Sequence, residues 1–399
     1  MDFESVNPFN VRVNKISGNL LPMVTDGSSF PILWQMYSIL TWLLESIQMS
    51  ILIPGCFIVP KEKALKDGLI GIAITLEVIF VILRIHTRRG LVQRLIRKLN
   101  EILRLEDEMM RNITTETLKS MEIPLKFYWS AGVMSIVLWS SAPFILVLKK
   151  TSFFYMDYRM PVAYGKEPLS TGTFVVGSLI VMTSSALIFT KKVAVDTYMI
   201  HLTLLITAQY RYIALKLSTI FRGETSRDNR NDPIGKGNYS KVGRFMEKQI
   251  RMICQHHNSV VHVTFMLKEL LSLNFSLLYV NSVIRFCFVG IMVLAIPSTT
   301  VLEGSLIVMY ASGGIVQLYI LCSCVQQLLD ATVEITDKAF HEEWYLQELS
   351  VKRTFMFMIM ANNLECKFAT FEKFNLSLPS FMTILNQSYS IALLLLKTS

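Results

Sequence analysis

The chain has 399 residues, of which 52% are hydrophobic, with a mean hydropathy of +0.44 and a formal net charge of +9. A chain of this length can build a soluble core with far less apolar material, so the composition excludes an ordinary water-soluble protein and points to lipid. The basic excess lies between the apolar runs, which argues against a nucleic-acid footprint.

Residues 1–31 are polar, mixed in charge and interrupted by Pro8, Pro22 and Pro31, so they read as a segment outside the membrane and not as a cleavable leader. Seven apolar runs follow, at 32–59, 68–83, 127–148, 170–190, 271–297, 301–325 and 378–396. As a helix, the last run rises about 28 Å, close to one hydrocarbon core. "FMFMIMA" (355–361) is too short to cross and reads as a buried helix outside the bilayer. The expected fold is an all-α membrane protein with seven spans.

An odd number of spans puts the chain ends on opposite sides. Segments 1–31, 86–126, 191–270 and 326–377 carry 29 lysines and arginines, against 8 on the alternate face. By the positive-inside rule this predicts inverted topology, N-terminus inside and C-terminus outside.

Helical pattern continues past the fourth, fifth and sixth spans. In 191–221 no Pro or Gly interrupts the run, and Tyr198, Leu202, Leu205, Ala208, Tyr212 and Leu215 recur every three or four residues. That spacing predicts an amphipathic helix in water, with Lys191 and Lys192 snorkelling to headgroups at its start. "GETSRDNRNDPIGKGN" (223–238) reads as a loop. A helical cytosolic domain made of the ends of membrane helices results. The opposite orientation, a "DRY" after the third span and an "NPxxY" in the seventh would mark a G-protein-coupled receptor, and both motifs are missing.

No enzyme motif is present. "CQHHNSVVH" (254–262) spaces His257 and His262 five residues apart, so the two rings diverge on a helix, and no metal site is expected. "GKG" (235–237) lacks the phosphate-loop pattern. The cysteines do not form a disulfide framework, since they fall mostly in spans or on the cytosolic side. No cofactor is implied.

Glu77 lies within the second span, where a charge is costly. It admits three readings: protonated, bonded to a neighbouring helix, or lining a watery cavity. The last span carries Ser380, Thr383, Gln387 and Ser390 at spacings of three, four and three, flanked by Asn386 and Tyr389. Such a stripe serves either as polar glue between helices or as the lining of a poorly selective cation path. Both readings stand on the residues alone.

The motifs at the end of the chain carry a resemblance. "ATVEITDKAFHEEWY" (331–345), "VKRTFMFMIM" (351–360) and "FNLSLPSFMTILNQSYSIALLLLK" (374–397) are similar to the terminal region of insect odorant receptors, with Phe340, Trp344 and Tyr345 matching an aromatic-x3-Trp-Tyr pattern. "DTYMIHLTLLITAQYRYIALKL" (196–217), with Asp196 and Gln209, resembles the family's fourth helix. Gustatory receptors end in T-Y-x5-Q-F, which is missing here, and the co-receptor has a longer second cytosolic loop.

The resemblance implies an odour-tuned subunit of a ligand-gated, non-selective cation channel. It would open a central pore in a heterotetramer with the odorant co-receptor, in the plasma membrane of olfactory sensory neurons. A gustatory-type channel or a metabotropic seven-span chemoreceptor is the alternative. Implied partners are a small hydrophobic odorant, membrane lipid, and monovalent and divalent cations, with no nucleic acid. Implied organisation is a cytosolic segment at 1–31, then six spans over 32–325 with extensions at 86–126 and 191–270. An anchor at 326–377 holds the first half of a split last helix, and 378–399 forms the pore-lining half. Pore residues would be Ser380, Thr383, Gln387, Ser388, Tyr389 and Ser390. Phe340, Trp344 and Tyr345 would anchor subunits, and Glu77, Ser135, Trp139, Phe174, Met182 and Tyr310 would meet the ligand in the outer half.

Overall fold

The computed structural model describes residues 1–23, 30–104, 107–228, 236–294, 301–341, 349–362 and 376–398. The elements in chain order are α1 (Pro8–Ser17), α2 (Ile32–Ile58), α3 (Lys61–Lys63), a π-turn (Ala64–Gly68), α4 (Leu69–Thr87), α5 (Arg89–Leu103) and α6 (Glu108–Val147). After a connection over 148–170 come α7 (Thr171–Asp228), α8 (Lys236–Leu294), α9 (Val301–His341), α10 (Leu349–Asn362) and α11 (Leu378–Thr398). There is no strand among the described residues, only a bridge between Phe153 and Leu169.

Six of these helices are long and apolar enough to cross a membrane: α2, α4, α6 and the apolar parts of α7, α8 and α9. The polar centre of α11 keeps it below the same measure of hydropathy. α2 shows the inside-out logic of a membrane helix. Its inward stripe is Thr41, Glu45, Gln48, Leu52 and Gly55, while Ile32, Leu33, Ile39 and Phe57 stand exposed. With lipid as apolar as any core, polar side chains are the ones that gain from facing protein.

α7 has 58 residues and α8 has 59, roughly 87 Å of helix each, so both run far beyond an apolar layer of about 30 Å. Residues 191–210 of α7 are buried all round, enclosed by α1, α6, α8 and α9. The expectation of a one-faced helix in water is corrected there. Some of its polar residues find partners inside the protein, as with Tyr210, whose hydroxyl meets Thr264 Oγ1 at 3.0 Å, while both side-chain atoms of Gln209 are buried with no partner among the described residues.

The N-terminal segment is folded onto this axis. Pro8 opens α1, and Gly18 closes it in the left-handed region at φ 71°, where a side chain would be strained. Asn14 brackets Leu21 through both backbone groups, and Tyr198 donates to the Pro22 carbonyl at 2.7 Å. α6 starts at Asp107, whose Oδ1 accepts from Met109 N at 2.9 Å while Oδ2 takes Tyr212 and Lys216 at 2.8 and 2.9 Å. Burial alone would raise the Asp107 carboxyl, but the bonds from Lys216 and Tyr212 outweigh it and hold it below the ordinary carboxylate value.

α10 is the short helix expected around 355–361. It buries Val351, Phe355, Met358 and Ile359 against α8 and α9. Asn362 ties the three together, donating to the Thr332 carbonyl at 2.6 Å and meeting His257 at 3.3 Å. The first half of the split last helix, expected before residue 378, falls largely on 363–375, which lie outside the described residues.

Candidate functional site

α11 has two unlike faces. Ile384, Ser388 and Ala392 recur every four residues and are buried against α8. Ser388 is 2% exposed and its hydroxyl reaches the Val283 carbonyl at 3.1 Å. Farther along, a Cβ at Gly290 would lie 3.2 Å from that of Ala392, so the glycine sets the close approach of the two helices. The opposite face carries Thr383, Asn386, Gln387, Tyr389 and Ser390, all exposed, with Tyr389 at 57%. Ser380 is half-buried and bonds Ser377 at 3.1 Å. The polar stripe therefore stands open on the single chain, while Ser388, which the resemblance adds to the pore set, sits on the packed face.

α8 joins that stripe to the interior. Tyr279 donates to Gln387 Oε1 at 3.2 Å. Less than a turn along α8, Asn281 donates to Glu77 Oε2 on α4, and Lys192 of α7 donates to Glu77 Oε1. Lys192 also lies 3.7 Å from Asp196, which accepts from Gln317 of α9 at 2.8 Å. Glu77, Lys192 and Asp196 are all buried. Of the three readings of Glu77, the structure selects the one in which it is bonded to neighbouring helices.

Lys191 is equally buried. It donates to the Ser17 carbonyl at 2.8 Å and Thr41 Oγ1 at 3.0 Å, and lies over the Trp42 ring at 4.2 Å. The expectation that Lys191 and Lys192 snorkel to headgroups is thus corrected. A buried ammonium is tolerable when charge, carbonyl and ring partners replace water. Apart from Asp196, one turn from Lys192, those partners lie more than 100 residues away in sequence.

The remaining ligand candidates fall in different settings. Phe174 is fully buried, stacked on Phe153 at 4.1 Å and tilted against Tyr158 at 4.7 Å. Ser135, Trp139, Met182 and Tyr310 are half-buried, and the Tyr310 hydroxyl is buried with no partner among the described residues. The Phe340 side chain, Trp344 and Tyr345 lie outside the described residues. No group of three His, Cys, Asp or Glu among the described residues could hold a metal.

Sequence reasoning missed the 148–170 connection. It folds back into the bundle as a wedge seated on glycines. A Cβ at Gly55 would meet the Val162 backbone at 2.6 Å, and one at Gly71 would meet Met160 Cε at 2.5 Å. Lys63 holds the connection from the other side through the Met156 and Tyr158 carbonyls, at 2.6 and 2.5 Å. A cavity of about 390 Å³ lies beneath it, walled by α2, the connection and the start of α7. A second, of about 460 Å³, lies between α1, the start of α2 and the α4–α5 junction. The only sequence signal for the wedge is its run of aromatics and prolines between two apolar spans.

These features define a multi-pass α-helical membrane protein with a buried cluster of Glu77, Lys192 and Asp196 inside the bundle. Residues 69–389 match the family described as 7tm Odorant receptor. The structure is similar to the insect olfactory receptor OR5 from Machilis hrabei, with TM-score 0.75, 14% identity and 100% of each chain covered. The same receptor in complex with eugenol gives TM-score 0.73 and 15% identity, again over 100% of each chain. Among curated proteins no sequence match was found. The chain belongs to the 7tm odorant receptor family of insects, and it is a membrane-spanning receptor, not an enzyme.

Proposed function

We propose that this chain is an odour-tuned subunit of a ligand-gated, non-selective cation channel, and that it works in a tetramer with the odorant co-receptor. The observation that carries the reading is the two-faced α11. One face is packed on its own bundle through Ser388 and Ala392, and the polar face of Thr383, Gln387, Tyr389 and Ser390 is left for neighbours and ions. Uncharged hydroxyls and amides suit weak, poorly selective coordination of monovalent and divalent cations. In this reading α11 is a seventh span, the N-terminus is inside and the C-terminus outside, as the distribution of 29 against 8 basic residues favours.

The ligand is a small hydrophobic odorant. OR5 has been solved with eugenol, which supports a compact ligand of that kind here. Glu77, Ser135, Trp139, Phe174, Met182 and Tyr310 form the proposed contact set, in which Glu77 and the fully buried Phe174 also hold neighbouring side chains. Phe340, Trp344 and Tyr345 anchor subunits to one another, and the assembly sits in the plasma membrane of olfactory sensory neurons. Co-expression with the co-receptor in cells lacking G-protein coupling tests the reading. Odour-evoked cation currents that need both chains are expected; currents that require a G protein overturn it.

A further inference from the structure

We propose that the cavity between α1, the start of α2 and the α4–α5 junction holds the headgroup of an anionic phospholipid with one net negative charge. Its volume of about 460 Å³ falls within the range of small-molecule sites, roughly 300–1,000 Å³. The cavity beneath the 148–170 connection has no charged side chain in its wall, and this one does.

Lys15, in the last turn of α1, and Arg89, the first residue of α5, line it together with Glu4 and Gln93. Lys15 is half-buried and Arg89 exposed. The neighbouring basic residues are used up, Arg88 on Glu269 and Lys98 on Glu101, both at 2.8 Å. Lys15 and Arg89 make no ion pair among the described residues. With histidine counted neutral, the wall sets two cations against one acid, a net charge of +1. That balance matches a headgroup of single net negative charge. A headgroup with several phosphates would leave negative charge uncompensated in a partly enclosed space.

The position in the fold points to a lipid as the source of the anion. Pro31 and Trp34 belong to the wall, and between them Ile32 and Leu33 are 74% and 79% exposed. Apolar side chains so exposed at the start of a span stand in lipid, so the cavity lies where α2 enters the apolar layer. Trp34 meets Tyr37 edge to face at 5.9 Å, and Tyr37 donates to the Ile16 carbonyl at 2.7 Å. Aromatic side chains of this kind mark a membrane–water boundary. Val11, Leu20 and Met23 give the wall an apolar part that free phosphate would not use. A phospholipid uses both parts, with its phosphate at Lys15 and Arg89 and its acyl chains along Ile32 and Leu33. On the topology proposed above, this is the inner leaflet.

The test uses the full-length protein in phosphatidylcholine nanodiscs doped with a phosphatidylserine that bears a diazirine at the glycerol end of one acyl chain. Irradiation should label peptides spanning 11–23 or 30–36. Excess unlabelled phosphatidylserine should suppress the labelling, while excess phosphatidylcholine and inorganic phosphate should leave it in place. Lys15→Gln combined with Arg89→Gln should lower labelling about thirtyfold, each cation near an anionic lipid counting for about fivefold. Arg97→Gln, which removes an exposed cation of α5 outside the cavity, should change nothing. Equal competition by phosphatidylcholine, or equal labelling of parent and double variant, overturns the proposal. So does displacement by inorganic phosphate, which would mark a site for a soluble anion, or an equal loss in Arg97→Gln, which would mark diffuse surface charge. Nanodiscs present both leaflets alike and the readout is labelling, so the result is independent of the proposed topology and channel function.

Discussion

Tyr279 of α8 donates its hydroxyl to Gln387 Oε1 of α11 at 3.2 Å, two residues from the point where Asn281 reaches Glu77. α8 thus touches the open polar stripe and the buried charge cluster at adjacent positions. On the channel reading proposed above, a movement that repacks the helices around Glu77 would reach Gln387 through these two contacts on α8. Tyr279→Phe removes only the hydroxyl, a bond with a net value of about 1 kcal/mol. The expected outcome is a several-fold shift in odour potency with unchanged reversal potential, read from dose–response and current–voltage curves. A changed reversal potential with unchanged potency would count against the coupling role.

The second prediction concerns Lys192, which neutralises Glu77 and approaches Asp196 inside the bundle. Lys192→Met leaves two buried carboxylates without their cation. Removing one partner of a buried pair costs about 3–5 kcal/mol. Lys192→Met should melt well below the parent protein, and adding Glu77→Gln should recover part of the loss. Additive losses in the double variant would show that the two groups do not interact.

Asp107 supplies a pH dependence with a definite sign. Its carboxyl is held below the ordinary value, so its contribution is present above the unfolded value, about 3.9. That contribution disappears as pH falls through the lower, folded value. Asp107→Asn keeps a capping side chain but removes the charge that pairs with Lys216 at 2.9 Å, and should cost up to about 1 kcal/mol at neutral pH. Melting curves of parent and variant should begin to approach one another as pH falls below about 4 and converge only once it lies below the lowered folded value. A gap that persists there would contradict the assignment.

Trp344 is the proposed subunit anchor. Trp344→Ala should reduce heteromer assembly on native gels, since an aromatic anchor at the centre of a subunit interface typically costs at least about 2 kcal/mol when truncated. Undiminished assembly with the co-receptor would remove Trp344 from that role.

Much of the fold could be read from the sequence, because lipid imposes long apolar runs. The run 32–59 became Ile32–Ile58, and 68–83 became most of Leu69–Thr87. The stripe on α11 was legible for the same reason, since helical periodicity is local. Lys191 and Lys192 were misplaced because their burial depends on Ser17, Thr41 and Glu77, which no spacing rule connects to them. Ser388 entered the pore set through the resemblance and not through the periodicity, and its burial against α8 sets it apart from the stripe. The wedge of 148–170 was hidden for a related reason. Its seat is a set of glycine notches, and a notch has meaning only once the opposing chain is in place.

The central claim is that the open face of α11 lines the ion path, and substituted cysteines test it most directly. Thr383→Cys, Gln387→Cys and Ser390→Cys would each be expressed with the co-receptor and exposed to a cationic methanethiosulfonate during odour application. Currents through these channels should fall irreversibly, while Ile384→Cys and Ala392→Cys, on the face packed against α8, should give currents that the reagent leaves unchanged. Modification that follows the packed face, or no block at any of the three open positions in channels shown to contain the subunit, would contradict the account.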